Sequence, residues 1–199
     1  MVVARKRNKF AGGYEDLLVN SYSLGVAGAP TRVTFPTGSK CSAFSYANNG
    51  TERGLDFETQ LPHGYANGST HPVYMHIHMS PSVNFAAGSP IGFLVELLLA
   101  KNLGAWTKET YWCSYTPSAQ IDAETQFMTV DVPLSAAHQA LFEPSVYIKG
   151  SVFRHKGTQY ATTNAGNITE NINQNLFFHE LDFHVWRYRA GTTINQSSY

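Results

Sequence analysis

Two segments of this chain alternate histidines with apolar residues, and no other feature restricts its fold as much. They run from Val73 to Met79 and from Leu176 to Trp186. Successive side chains of a strand point to opposite faces, so Val73, Met75, Ile77 and Met79 share an apolar face while Tyr74, His76 and His78 share the other. In the second segment the same period places Leu181, Phe183 and Val185 on one side and Glu180, Asp182, His184 and Trp186 on the opposite side. Both segments read as half-buried strands. They offer imidazoles and carboxylates to a common layer, and their apolar faces must meet a second sheet.

Turn chemistry recurs at short intervals, at Gly28-Ala-Pro30, Pro36-Thr-Gly38, Asn48-Asn-Gly50, Asn67-Gly68, Gly88-Ser-Pro90 and Asn164-Ala-Gly166 among others. Between these turns lie short stretches of β-branched and aromatic residues, the pattern of an antiparallel sandwich or barrel. Strands are predicted at 32–35, 41–46, 55–61, 73–79, 91–99, 110–115, 127–133, 145–154 and 176–189, about eight of them forming two packed sheets. The 91–99 segment has the composition of a buried helix as well, but the glycines and proline that bracket it favour a strand. The last strand is long enough that it should bend or change sheet partway. One short helix is predicted at 135–141, capped by Ser135 and followed by Pro144.

At 199 residues and 43% hydrophobic content the chain can bury one sizeable core. Charged residues make up only 14%, well under the usual quarter of a soluble protein, which suits an all-β protein partly covered by other subunits. The formal net charge is zero, so there is no global electrostatic footprint for nucleic acid. The longest apolar run, 91–100, is interrupted by Glu96 and is too short to cross a bilayer. Phe10-Ala-Gly-Gly follows the N-terminal basic residues in place of a signal peptide's apolar core, so a soluble protein made in a reducing cytoplasm is expected. Cys41 and Cys113 are too few for a disulfide framework and are expected as free, buried thiols.

Arg5, Lys6, Arg7 and Lys9 meet no acidic residue before Glu15. Residues 1–30 are therefore expected as an extended N-terminal arm, leaving 31–199 as the β-sandwich domain. A solvated tail is one reading of the arm, and an anchor onto an acidic protein surface is the other.

An H-x-H pair on one strand face sets two imidazoles about 7 Å apart at the backbone, close enough to share a metal if a neighbouring strand adds a ligand. His184, Asp182 or Glu180 could supply it. The favoured reading assigns no metal and no cofactor. It places His76, His78, Asp182 and His184 in a buried polar layer, with the imidazoles hydrogen-bonded to carboxylates such as Asp56, Glu58, Asp182 or Glu180. If that layer is neutral and buried, the assembly should loosen below about pH 6. No catalytic residue is nominated, because the chain has no nucleophile elbow, phosphate-binding glycine loop or paired-cysteine motif. Trp106, Tyr111, Trp112 and Tyr115 are expected to fill the core and a subunit interface. An exposed Trp106 or Tyr160 would instead favour sugar stacking.

Three stretches together resemble a family: Gln60-Leu-Pro-His63-Gly-Tyr65 with Gly68-Ser69, then His71-Pro-Val-Tyr-Met-His76-Ile-His78, then Phe177-Phe-His-Glu-Leu-Asp182-Phe-His184-Val-Trp-Arg-Tyr188. The family is a group of small structural proteins of tailed bacteriophages and prophages. The resemblance implies a single jelly-roll β-sandwich of about eight antiparallel strands in the virion, made in the host cytoplasm. It implies a non-enzymatic capsid decoration or cement protein, a homotrimer bound to the major capsid protein or another virion protein. The arm residues Arg5, Lys6, Arg7, Lys9, Phe10, Tyr14, Leu17 and Leu18 would then dock on the shell, where many weak contacts repeated by symmetry act together. The alternative is a tail or head fibre module that binds a host glycan, and a cupin-like metal-binding enzyme is the second alternative. Met79 stands where the family has an aromatic residue, and Arg-Ala-Gly-Thr-Thr follows Tyr188 in place of an acidic run.

Overall fold

The structure is a computed structural model, and it describes residues 12–19, 22–24, 30–46, 53–154 and 174–187. In chain order the strands are β1 (Gly13–Leu18), β2 (Tyr22–Leu24), β3 (Thr31–Thr34), β4 (Ser42–Tyr46), β5 (Arg53–Gln60), β6 (Tyr74–Pro81), β7 (Ile91–Ala100), β8 (Thr107–Tyr115) and β9 (Met128–Val132). A helix α1 (Ala136–Gln139) follows, then β10 (Tyr147–Arg154) and β11 (Leu176–Arg187). Among the described residues no helix is long and apolar enough to cross a membrane.

The strands form two antiparallel sheets, one in the order β3-β4-β11-β6-β9 and the other β2-β5-β10-β7-β8. Within the run from β4 to β11 the outermost strands in sequence pair first: β4 with β11, β5 with β10, β6 with β9 and β7 with β8, alternating between the sheets. A long hairpin rolled up in this way is a jelly roll, and the chain is an all-β sandwich of that kind.

Alternation puts Met75, Ile77 and Met79 of β6 and Leu181, Phe183 and Val185 of β11 into the core, each at most 1% exposed. The other sheet meets them with Phe93, Val95, Leu97 and Leu99 of β7 and with Ile148 and Val152 of β10. Each such side chain contributes about 1.5–3 kcal/mol relative to an exposed one. Antiparallel pairing of 91–100 with β8 on one side and β10 on the other settles the segment whose composition suited helix or strand.

β11 neither leaves its sheet nor breaks. It accommodates its length through a bulge between Phe178 and Glu180 and a change of neighbour along one edge. Its first residues pair with β4, and Asp182 to Arg187 pair with β1. The bulge keeps the apolar set inward on both sides of His179, with Leu176 and Phe178 before it and Leu181, Phe183 and Val185 after it.

Ser135 caps α1, its hydroxyl accepting from the His138 amide at 3.1 Å. The helix is shorter than the 135–141 expected, because Phe142 turns into the core and its carbonyl accepts from the Gly68 amide at 2.7 Å. Cys41 and Cys113 are both free, but Cys41 is exposed where a buried thiol was expected, since it lies just ahead of β4.

Within 1–30, the described residues of the expected arm are strands of the sandwich. β1 lies on β11 in one sheet and β2 lies on β5 in the other. Leu17 packs against the core, while Tyr14 and Leu18 remain 43% and 47% exposed. Arg5, Lys6, Arg7, Lys9 and Phe10 lie outside the described residues.

Candidate functional site

The register of four neighbouring strands assembles a cluster of imidazoles and carboxylates on the outer face of the β3-β4-β11-β6-β9 sheet. One cross-strand row reads Leu18, Asp182, His76, Asp131, and the next reads Asp16, His184, Tyr74. On the other side of the first, Glu180, His78 and Thr129 form a third row. Because Met75, Ile77, Leu181 and Phe183 take the inward positions, their alternates must face outward together.

Asp182 is the centre, with its side chain only 5% exposed. Its Oδ2 lies 2.9 Å from His184 Nε2, and its Oδ1 lies 3.2 Å from His78 Nε2 and 3.7 Å from His76 Nδ1. His76 Nδ1 and His184 Nε2 are themselves 3.2 Å apart. On the rim, His184 Nε2 lies 3.0 Å from Asp16 Oδ1, His76 Nε2 lies 3.3 Å from Asp131 Oδ1, and His78 Nδ1 lies 3.2 Å from Thr129 Oγ1. Burial is the main cause holding His76 below the ordinary imidazole pKa. The neighbouring His184 and His78 add to it, while Asp182 and Asp131 pull the other way.

These contacts fix two of the tautomers. The Asp131 carboxylate only accepts, so His76 carries its proton on Nε2 and turns the Nδ1 lone pair into the cluster. Asp182 likewise requires a proton on His78 Nε2, and the Thr129 hydroxyl then donates to His78 Nδ1.

The structure therefore brings His76, His78, Asp182 and His184 together, but on the outside of one sheet and not between the sheets. Asp182 is buried and the three histidines are partly covered. Asp56 and Glu58, expected as partners, point elsewhere: Asp56 accepts from Ser151 and Glu58 pairs with Lys149 at 3.3 Å. Asp131 and Asp16 take part in their place. Alternation within Met128-Thr-Val-Asp-Val132 could have found Asp131, because Thr129 and Asp131 share the face opposite Met128, Val130 and Val132. Nothing in Gly13-Tyr-Glu-Asp-Leu-Leu18 alternates in a way that announces a strand, so Asp16 had no such signal.

No protein-family model matches the chain, and no curated protein matches it. Solved structures similar to it include the following. A xylan-binding domain from CBM 22 is 12% identical with a TM-score of 0.38, covering 92% of this chain and 98% of its own. The C-terminal family 22 carbohydrate binding module of Clostridium thermocellum Xyn10B gives the same identity, coverage and TM-score. The CBM22-1-GH10 modules of Clostridium thermocellum Xyn10B complexed with xylohexaose are 11% identical with a TM-score of 0.33, covering 86% of this chain and 27% of theirs. The assignment of the sandwich rests on its own strand order.

A second surface feature lies on the opposite sheet. Tyr111 and Trp112 are buried as expected, but Trp106 is 48% exposed and meets Tyr147 edge to face with ring centroids 6.0 Å apart. The pair lines an open cavity of about 570 Å³ with Gln60, His63, Lys101 and Asn102.

Proposed function

We propose that this protein is a non-enzymatic recognition module whose jelly roll presents the Trp106–Tyr147 cavity to a saccharide. The observation that carries the reading is the exposure of Trp106, the feature by which the sequence separates a sugar platform from a core aromatic. An indole face can stack on the apolar face of a pyranose ring, while the amides of Gln60 and Asn102 and the Lys101 ammonium suit its hydroxyl rim. Concave, partly aromatic sites with a few convergent polar groups are the usual form of small-ligand pockets. The test is titration of the protein with a panel of soluble polysaccharides, followed by indole fluorescence and calorimetry. A saccharide should bind wild type and lose at least tenfold in affinity for Trp106→Ala. Absence of binding across the panel, or equal binding by the variant, would end the reading.

A second reading places the same module on a bacteriophage particle as a shell decoration or fibre component. What favours it is that the separate stretches carrying the resemblance pack together. The Ala66 amide donates to the Trp186 carbonyl at 2.7 Å, the His71 ring stacks on Trp186 at 4.6 Å, and Tyr65 bridges Arg187. The homotrimer and the shell-docking arm belong to this reading. The solution mass of the purified chain tests it: a trimer of the 22.0 kDa chain supports it and a monomer counts against it.

A further inference from the structure

Around His184 Nε2 there are more lone pairs than protons. His76 Nδ1, Asp182 Oδ2 and Asp16 Oδ1 stand 3.2, 2.9 and 3.0 Å from it, and all three are acceptors once Asp131 has fixed the His76 tautomer. A single N–H can satisfy one of them well. Hydrogen bonding among these groups, the arrangement expected from the sequence, therefore leaves electron pairs facing one another beside a buried carboxylate, which is costly.

We propose that His76 Nδ1, His184 Nε2 and a carboxylate oxygen of Asp182 hold one first-row divalent cation of the zinc class, with the fourth position open to solvent beside Asp16. The donor atoms of His76, Asp182 and His184 lie within 4.8 Å of one another. The distances from His76 Nδ1 to His184 Nε2, from His184 Nε2 to Asp182 Oδ2 and from His76 Nδ1 to Asp182 Oδ1, 3.2, 2.9 and 3.7 Å, fall on either side of the ~3.3 Å separating ligands bonded at about 2.0–2.1 Å in a tetrahedron. Two imidazoles with a carboxylate are a donor set suited to zinc, cobalt or iron(II).

The outer groups are those that such a site needs. Asp131 accepts from the far nitrogen of His76, and His78 donates to Asp182 Oδ1 while Thr129 fixes its tautomer. Carboxylates and imidazoles in this outer position orient ligands and raise their basicity. Access is open on the Asp16 side, whose side chain is 61% exposed. The ion would join β6 to β11. This inference is independent of the saccharide reading, because the Trp106 cavity lies on the other sheet.

The experiment uses the untagged full chain, stripped with EDTA and dialysed, and titrated with zinc chloride by calorimetry and with cobalt chloride by visible absorption. One ion per chain is expected, with the d–d bands of a four-coordinate cobalt centre and a Tm rise of about 5–10 °C at a hundredfold excess over Kd. Asp131→Asn, at an exposed position, should keep the fold and weaken zinc about 10–100-fold. His76→Ala with His184→Ala should abolish it. No binding by wild type would overturn the proposal. So would undiminished binding by the double histidine variant, which would put the ion elsewhere, and so would undiminished binding by Asp131→Asn if the double variant fails to fold.

Discussion

The Tyr111 hydroxyl lies 2.7 Å from His138 Nδ1, joining β8 to α1 inside a small buried network. The same hydroxyl donates to Glu109 Oε2 at 2.7 Å, and Ser135 Oγ donates to that carboxylate oxygen at 2.6 Å. Since the single phenolic proton goes to Glu109, His138 Nδ1–H donates to the phenol oxygen. Tyr111→Phe keeps the ring, which is fully buried, takes one of two hydroxyl donors from Glu109 Oε2 and leaves His138 Nδ1 without its acceptor. The expected loss is about 1–3 kcal/mol of stability, read as a lower midpoint in urea at unchanged slope.

Gly150 sits in mid-β10 between Phe57 of β5 and Leu97 of β7. A Cβ there would run into the Phe57 ring and lie 2.6 Å from the Glu96 carbonyl oxygen, so the ring must move or the strands must part. Gly150→Ala should cost about 1–3 kcal/mol by overpacking. Gly13→Ala meets nothing within 4 Å and should change stability by under about 0.5 kcal/mol. Equal urea midpoints for the two variants would contradict this account of the packing.

The sequence showed most clearly those elements whose burial is one-sided and regular. β6 alternates from Tyr74 to Met79 and β7 from Val95 to Ala100, and the halves of β11 keep their apolar set inward once the bulge at His179 is allowed for. β1 escaped notice because a strand added at an edge, with a burial pattern mostly exposed, has no reason to alternate. With β1 went Asp16. The His76–Asp182 pairing could be foreseen as chemistry but not as place. Alternation says that two side chains share a face, and only the register decides which pair is opposed and whether the face looks inward or out. Trp106 illustrates the opposite limit, since composition groups it with Tyr111 and Trp112 while it lies in the approach to β8, outside the alternation that buries them.

Asp182 lies against three imidazoles in the metal-free protein, and its removal should be felt even without an ion. Asp182→Ala deletes a buried carboxylate that contacts His78, His184 and His76. With EDTA present the variant should lose about 2–3 kcal/mol, or roughly 5–10 °C in Tm, measured by differential scanning calorimetry. A loss under about 0.5 kcal/mol would mean that the carboxylate is no better satisfied in the fold than in water.

Acidification should destabilise the sandwich, through histidines away from that cluster. His138 is fully buried, and burial above all holds its pKa below the ordinary value, although Glu109 and the Thr107 carbonyl work against the shift. His179 is lowered by burial and by the nearby His78, its ring lying 4.6 Å from that of Phe35 and its Nε2 2.7 Å from Ser80 Oγ. A histidine lowered in the fold takes up its proton more readily when unfolded. The stability tied to the neutral form is therefore complete above the unfolded pKa of about 6.5 and is lost as pH falls through the folded value. Glu109 is also lowered, since hydrogen bonds from Ser135 and Tyr111 and the charge of His138 together outweigh the opposing effect of burial. Its contribution disappears at still lower pH, as the carboxylate protonates. With EDTA present, Tm should be level between about pH 7 and 8 and should fall steadily from about pH 6.5 to 5. His138→Asn should lower Tm at neutral pH and flatten that slope. A wild-type Tm that stays level or rises on acidification would show that these imidazoles are paired as cations in the fold.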